Sequence, residues 1–129
     1  MPHPTYSAAH MNNTKWREVL TLIAQFQLEF EVAYVGSERF QYGSVLSTNL
    51  LTETYIADPG IAEGPSEYKD IYAIRIPKTI MLRNAKTGVK IPSSEKSDLF
   101  QRAAAQLGAI PIKTKEDFIY LYGYSHRNL

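Results

Sequence analysis

Between Trp16 and Phe26 the apolar residues recur at steps of three and four. In NTKWREVLTLIAQFQ this puts Trp16, Val19, Leu20, Ile23 and Phe26 on one stripe, the pattern of an amphipathic helix. Asn13 or Thr14 is placed to cap it by accepting from the first free backbone N–H groups. The period then shortens to two. In LEFEVAYV, Leu28, Phe30, Val32 and Tyr34 alternate with Glu29, Glu31 and Ala33, which describes a half-buried strand with both glutamates on its wet side. Gly36-Ser37-Glu38 turns the chain, and RFQYGSVL and NLLTETYI follow as two further strands rich in aromatic and β-branched residues. ADPGIAEGPSE reads as a loop, because its Pro-Gly and Gly-Pro steps admit no regular element.

YKDIYAIRI predicts the next strand, with Tyr72, Ile74 and Ile76 on one face and Pro77 closing it at an edge or a bulge. KTIMLR and GVKI flank the turn NAKTG, where Asn84 favours local hydrogen bonding and Gly88 a positive φ, so the pair predicts a hairpin. Pro92 ends it. Ser93 or Ser94 caps a second helix in SEKSDLFQRAAAQL, with Leu99, Phe100, Ala103, Ala104 and Leu107 as its buried face and Gly108 at the left-handed position after it. Last, Phe118, Tyr120, Tyr122 and Tyr124 alternate with Ile119, Leu121 and Gly123, which predicts a second hairpin from Ile110–Lys113 and Phe118–Tyr124. The order describes an α+β fold: a mostly antiparallel sheet with two helices packed on one face, in one compact domain over residues 11–129. Residues 1–10 hold two prolines, two of the three histidines and no periodic pattern, so they read as a tag-like or disordered extension, and His3 and His10 are set aside.

Composition narrows the chemistry. Nine Tyr and five Phe among 129 residues give ample material for a core, so the expectation beyond the extension is a folded rather than a disordered chain. There is no cysteine, which removes thiol catalysis, disulfides and cysteine-based zinc sites together. No apolar run approaches the roughly 20 residues that span a bilayer. With no charged-then-apolar leader at the start, the expectation is a soluble cytoplasmic protein. No cofactor is expected, since neither the Gly-x-x-x-x-Gly-Lys-Ser/Thr nor the Gly-x-Gly-x-x-Gly spacing occurs. His126, the one histidine outside the extension, sits near the C-terminus, which leaves metal or Ser-His chemistry without a centre. Glu53, Asp58, Glu63 and Glu67 are scattered, and no pair of carboxylates converges.

NNTKWREVLTLI near the start, YKDIYAIRIPK in mid-chain and IYLYGY after LGAIPI resemble a family of small bacterial proteins with a Lys-Trp opening helix and a closing hydrophobic-Gly-Tyr strand. The resemblance covers most of residues 12–124. It implies no activity for any residue. Small bacterial α+β proteins of this size include immunity and antitoxin-like partners of toxins, which implies a protein partner.

Charge placement adds the remaining signal. Through Glu67 there are three bases and eight acids, a net of −5; from Tyr68 onward eleven bases face five acids, a net of +6. RIPKTIMLRNAKTGVKIP, residues 75–92, carries Arg75, Lys78, Arg83, Lys86 and Lys90 and no acid. One reading is a solvated hairpin whose lysines and prolines deter edge-to-edge pairing. The other makes these five residues a binding surface. The expectation drawn from it is a small protein-binding module, an immunity or antitoxin-type inhibitor that docks a partner through the basic hairpin. A nucleic-acid accessory role for the hairpin and nearby tyrosines is the alternative. A small enzyme with a carboxylate-centred site stands third.

Overall fold

The computed structural model describes residues 6–37, 39–43, 47–57, 65–108 and 110–126. After β1 (Tyr6–Ala9), the apolar stripe forms α1 (Asn13–Gln25). Its cap is Asn12 rather than Asn13 or Thr14: the extended backbone of Asn12 lets its Oδ1 accept from the Lys15 N–H at 2.8 Å. The helix stops at Gln27, whose φ of +53° lets the Leu28 N–H reach back to the Ile23 carbonyl at 3.0 Å. That reversal feeds β2 (Phe30–Tyr34). There follow β3 (Gln41–Gly43), β4 (Tyr55–Ile56), β5 (Ser66–Glu67), β6 (Ile71–Pro77), β7 (Ile80–Arg83), β8 (Lys90–Ser93), α2 (Glu95–Ala105), β9 (Ile112–Lys115), β10 (Phe118–Tyr122) and β11 (Tyr124–His126).

Five strands make an antiparallel sheet in the order β3-β2-β6-β10-β9. The pairs β4–β5, β7–β8 and β1–β11 form two-stranded sheets of their own. The architecture is α+β in a single compact domain. The core joins Trp16, Val19, Leu20 and Ile23 of α1 and Phe100 and Ala104 of α2 to Phe30, Val32, Ile74, Ile76, Ile119 and Leu121 of the sheet. These sheet residues alternate along their strands, so they share one face. A second, smaller cluster of Ala33, Tyr72, Ala73 and Tyr124, with Val35, Phe40 and Tyr122 against it, contains no helix residue.

Several expectations need correction. Residues 6–9 do not lie outside the fold; they pair antiparallel with β11 as Tyr6↔His126 and Ala9↔Tyr124, a backbone pairing that needs no side-chain pattern. NLLTETYI is not one strand. Thr48–Leu50 is a 3₁₀ turn, and Thr52 Oγ1 accepts from the Thr54 and Tyr55 amides at 3.3 and 3.0 Å, which folds the chain back before β4. Tyr72 does not share a face with Ile74 and Ile76. The register passes from Ala33↔Ala73 to Tyr34↔Ile71, so Tyr72 is the extra residue of a bulge, and the alternation inverts there. In α2 the buried positions are Ser97, Phe100 and Ala104, while Leu99 is exposed. The last hairpin is shifted to β9 and β10, and Gly123 interrupts the run before β11. A Cβ at Gly123 would lie 2.7 Å from the Ile71 carbonyl oxygen and 3.0 Å from the Trp16 ring, so the close approach of these elements requires glycine. The expected strand and loop residues 44–46 and 58–64 lie outside the described residues, as do residues 1–5.

Candidate functional site

The expected basic hairpin forms, and it stands apart from the main sheet. β7 and β8 pair as Ile80↔Ser93, Met81↔Pro92, Leu82↔Ile91 and Arg83↔Lys90. The Asn84 N–H continues the register to the Val89 carbonyl at 2.9 Å. At the tip, Asn84 Oδ1 accepts from the Lys86 and Thr87 amides at 2.8 and 3.1 Å, and Gly88 takes a φ of +73°. Every residue from Met81 to Pro92 is exposed.

Side chains on a strand alternate between faces, so the register divides this arm into two unlike sides. Ile80, Leu82, Val89 and Ile91 lie on one. Met81, Arg83, Lys90 and Pro92 lie on the other. Among the described residues, seven large hydrophobics are strongly exposed, and four of them are Met81 (56%), Leu82 (46%), Val89 (55%) and Ile91 (54%). Three of these, Leu82, Val89 and Ile91, share one side with the half-buried Ile80, while Met81 lies on the other. Sequence reasoning noticed the charges and missed this strip, although the alternation of Ile80, Leu82, Val89 and Ile91 is visible in the chain once the turn is fixed. Pro92 falls one residue away from the Leu82↔Ile91 pair, so its missing N–H faces the outer edge of β8. That edge is a poor place to add a strand, and the faces are what remain for contact.

Of the five expected binding residues, Arg83, Lys86 and Lys90 come together on the basic side and tip of the arm. Lys78 sits at its root. There the Lys78 N–H donates to the Asp117 carbonyl at 2.9 Å, and the buried Ser97 hydroxyl donates to the Lys78 carbonyl at 2.6 Å. Arg75 does not join them. It lies in the middle of β6, and its guanidinium is committed to Glu31, with Nη2 3.0 Å from Oε1 and Nε 3.1 Å from Oε2. The rings of Phe40 and Phe118 each centre 4.3 Å from its guanidinium carbon, and Nη1 reaches the Tyr120 hydroxyl at 3.5 Å. Hydrogen bonding to Glu31 pushes the Arg75 pKa up, against the opposing effect of partial burial. The acid lies 44 residues away in sequence. The sheet register, not sequence proximity, brings the pair together through Glu31↔Arg75.

Two further depressions lie among the described residues. One of about 610 Å³ lies beside α1, lined by Asn13, Arg17, Glu18 and Glu53. Another of about 500 Å³ lies at the root of the arm, between Leu28, Glu29, Ile76 and Met81. Among the described residues no group of three or more histidines or acids could hold a metal ion, and no helix is long and apolar enough to cross a membrane. Compared with protein-family models, curated proteins and solved structures, the chain matches none.

Proposed function

We propose that this protein is a protein-binding module that inserts its β7–β8 arm into a cleft on a partner. The observation that carries the reading is one exposed ribbon with Leu82, Val89 and Ile91 on one side and Arg83 and Lys90, beside Met81 and Pro92, on the other. A surface of phosphates would satisfy the bases and leave Leu82, Val89 and Ile91 in water, so a protein partner suits the arm better.

The magnitudes favour a cleft over a flat patch. Burying the remaining exposed halves of Leu82, Val89 and Ile91 is worth about 1 kcal/mol each. A micromolar complex needs about 8 kcal/mol beyond the entropic cost of association. One side of the ribbon is therefore insufficient, and a partner has to close on both: an apolar wall against Ile80, Leu82, Val89 and Ile91, and an acidic wall against Arg83, Lys86 and Lys90. The Asn84–Gly88 turn holds the tip in one conformation beforehand, which reduces the ordering cost. An inhibitor that plugs a partner's active-site cleft is the narrower form of this reading.

The test is capture from nuclease-treated lysate of the source organism with three baits: the full chain, Leu82→Asp/Ile91→Asp, and Arg83→Glu/Lys86→Glu/Lys90→Glu. Both variants change only exposed residues, and circular dichroism checks the fold. A protein held by the native bait and lost from both variants, whose purified form binds the native chain directly with an on-rate that falls as salt rises, supports the reading. Capture that both variants retain, or that disappears with nuclease, overturns it.

A further inference from the structure

The face of the main sheet that carries Arg75 is built differently from the arm. Phe118, Tyr120 and Tyr122 alternate along β10 and point to this side, and the register sets Lys115 beside Phe118 and Lys113 beside Tyr120 on the edge strand β9. The Tyr120 and Tyr122 rings are parallel to within 7°, with centroids 5.6 Å apart. Lys113 Nζ lies 6.0 Å from the Tyr122 ring centroid. The three aromatics are half-buried and both lysines are exposed. The nearest acid in the row, Glu31, is already neutralised by Arg75. On the arm, the wholly apolar side of Leu82, Val89 and Ile91 lies opposite the side that carries Arg83 and Lys90. Here they interleave on one side.

A ligand that alternates flat rings with negative charges matches this arrangement. We propose that this face binds single-stranded nucleic acid, with bases stacking on Tyr120 and Tyr122 and phosphates passing Lys113 and Lys115. The two tyrosine rings are 5.6 Å apart, less than the roughly 6.7 Å between side chains two apart on a strand. Duplex stacking advances only about 3.4 Å per nucleotide along each strand, whereas an unstacked single strand can splay its bases to meet the longer repeat. Aromatic platforms flanked by bases bind single strands with little sequence preference, which is the behaviour expected here. The track is short. It ends at the β9–β10 turn, where Glu116 and Asp117 are exposed and would repel a phosphate.

The test is fluorescence anisotropy of a fluorescein-labelled ten-nucleotide oligouridylate, and of a labelled duplex of equal length, titrated with the full chain at low salt. Saturable binding to the single strand is expected to weaken about ten-fold in Tyr122→Ala. Tyr122→Phe, which keeps the ring, should bind as the native chain does. Lys113→Glu/Lys115→Glu should weaken binding and make the log–log salt slope shallower by about 1.4. The arm variant Arg83→Glu/Lys86→Glu/Lys90→Glu should leave it unchanged, which separates this site from the proposed arm function. No saturable binding, equal affinity for the duplex, or loss in the arm variant with retention in the lysine pair would overturn the proposal. Should Tyr122→Ala fail to fold, the exposed lysine pair decides the matter alone.

Discussion

Replacing Arg75 by lysine keeps the positive charge and removes almost everything else the side chain does. The native guanidinium fills the gap between Phe40 and Phe118, each ring 4.3 Å away, while two of its nitrogens hold both oxygens of Glu31. A half-buried cation over an aromatic ring is worth about 1 kcal/mol; an ammonium can keep one such contact but lacks the plane that meets both rings at once. An ammonium can keep one hydrogen bond to Glu31 but cannot match both oxygens from one plane, which forfeits about 1 kcal/mol more. The side chains of the pair are 25% and 27% exposed, so solvent screening is partial and the total stays near 2 kcal/mol. For a domain of 129 residues this lowers Tm by about 7 °C. Thermal unfolding followed by far-ultraviolet circular dichroism and by the fluorescence of Trp16, the single buried tryptophan, measures it. A double-mutant cycle with Glu31→Gln should return a coupling of about 1 kcal/mol. A Tm within 2 °C of the native value for Arg75→Lys would refute the reasoning, since neither the rings nor the second hydrogen bond could then be contributing.

Other consequences of the packing can be checked by the same melts. Gly123→Ala should cost about 2–3 kcal/mol, because its Cβ meets a backbone oxygen at 2.7 Å that cannot step aside, and a loss under 1 kcal/mol would contradict the close approach. Gln27→Gly should stabilise by about 0.5–1 kcal/mol, since it relieves the left-handed φ of +53° at some cost in unfolded-chain entropy. Burial pushes the Tyr68 pKa up, and its hydroxyl donates to the Thr52 carbonyl at 2.7 Å. A phenol whose pKa is raised on folding contributes stability that is complete below its unfolded value, near 10, and is lost as pH rises towards the folded value. Tyr68→Phe should therefore lose about 1 kcal/mol at pH 7, and its chemical-denaturation stability should fall less steeply than the native protein's above pH 10.

The sequence made some of this readable and hid the rest for physical reasons. α1 declared itself because five apolar residues repeat at the helical period and Trp16 anchors them. The arm declared itself through Asn84 and Gly88, two residues whose local chemistry sets the turn without help from the rest of the chain. Tyr72 misled because a single extra residue against β2 inverts the alternation, and no side-chain pattern records a bulge. The Arg75–Glu31 pair was unreadable because a register across the sheet, not proximity along the chain, makes it. For the same reason Arg75 looked like a member of the basic hairpin. The pairing of residues 6–9 with β11 rests on backbone hydrogen bonds, which residue types hardly report.

The root of the arm has a mechanical consequence. Lys78 is gripped from two directions, by Ser97 on the first turns of α2 and by the Asp117 carbonyl at the β9–β10 turn. Those two bonds fix the root of the ribbon, and beyond them every residue from Met81 to the Asn84–Gly88 tip is exposed. The same two bonds tie the root of the arm to α2 and to the turn that ends the row of tyrosines. Ser97→Ala, which removes one of the two, should speed hydrogen exchange at the Lys78 amide.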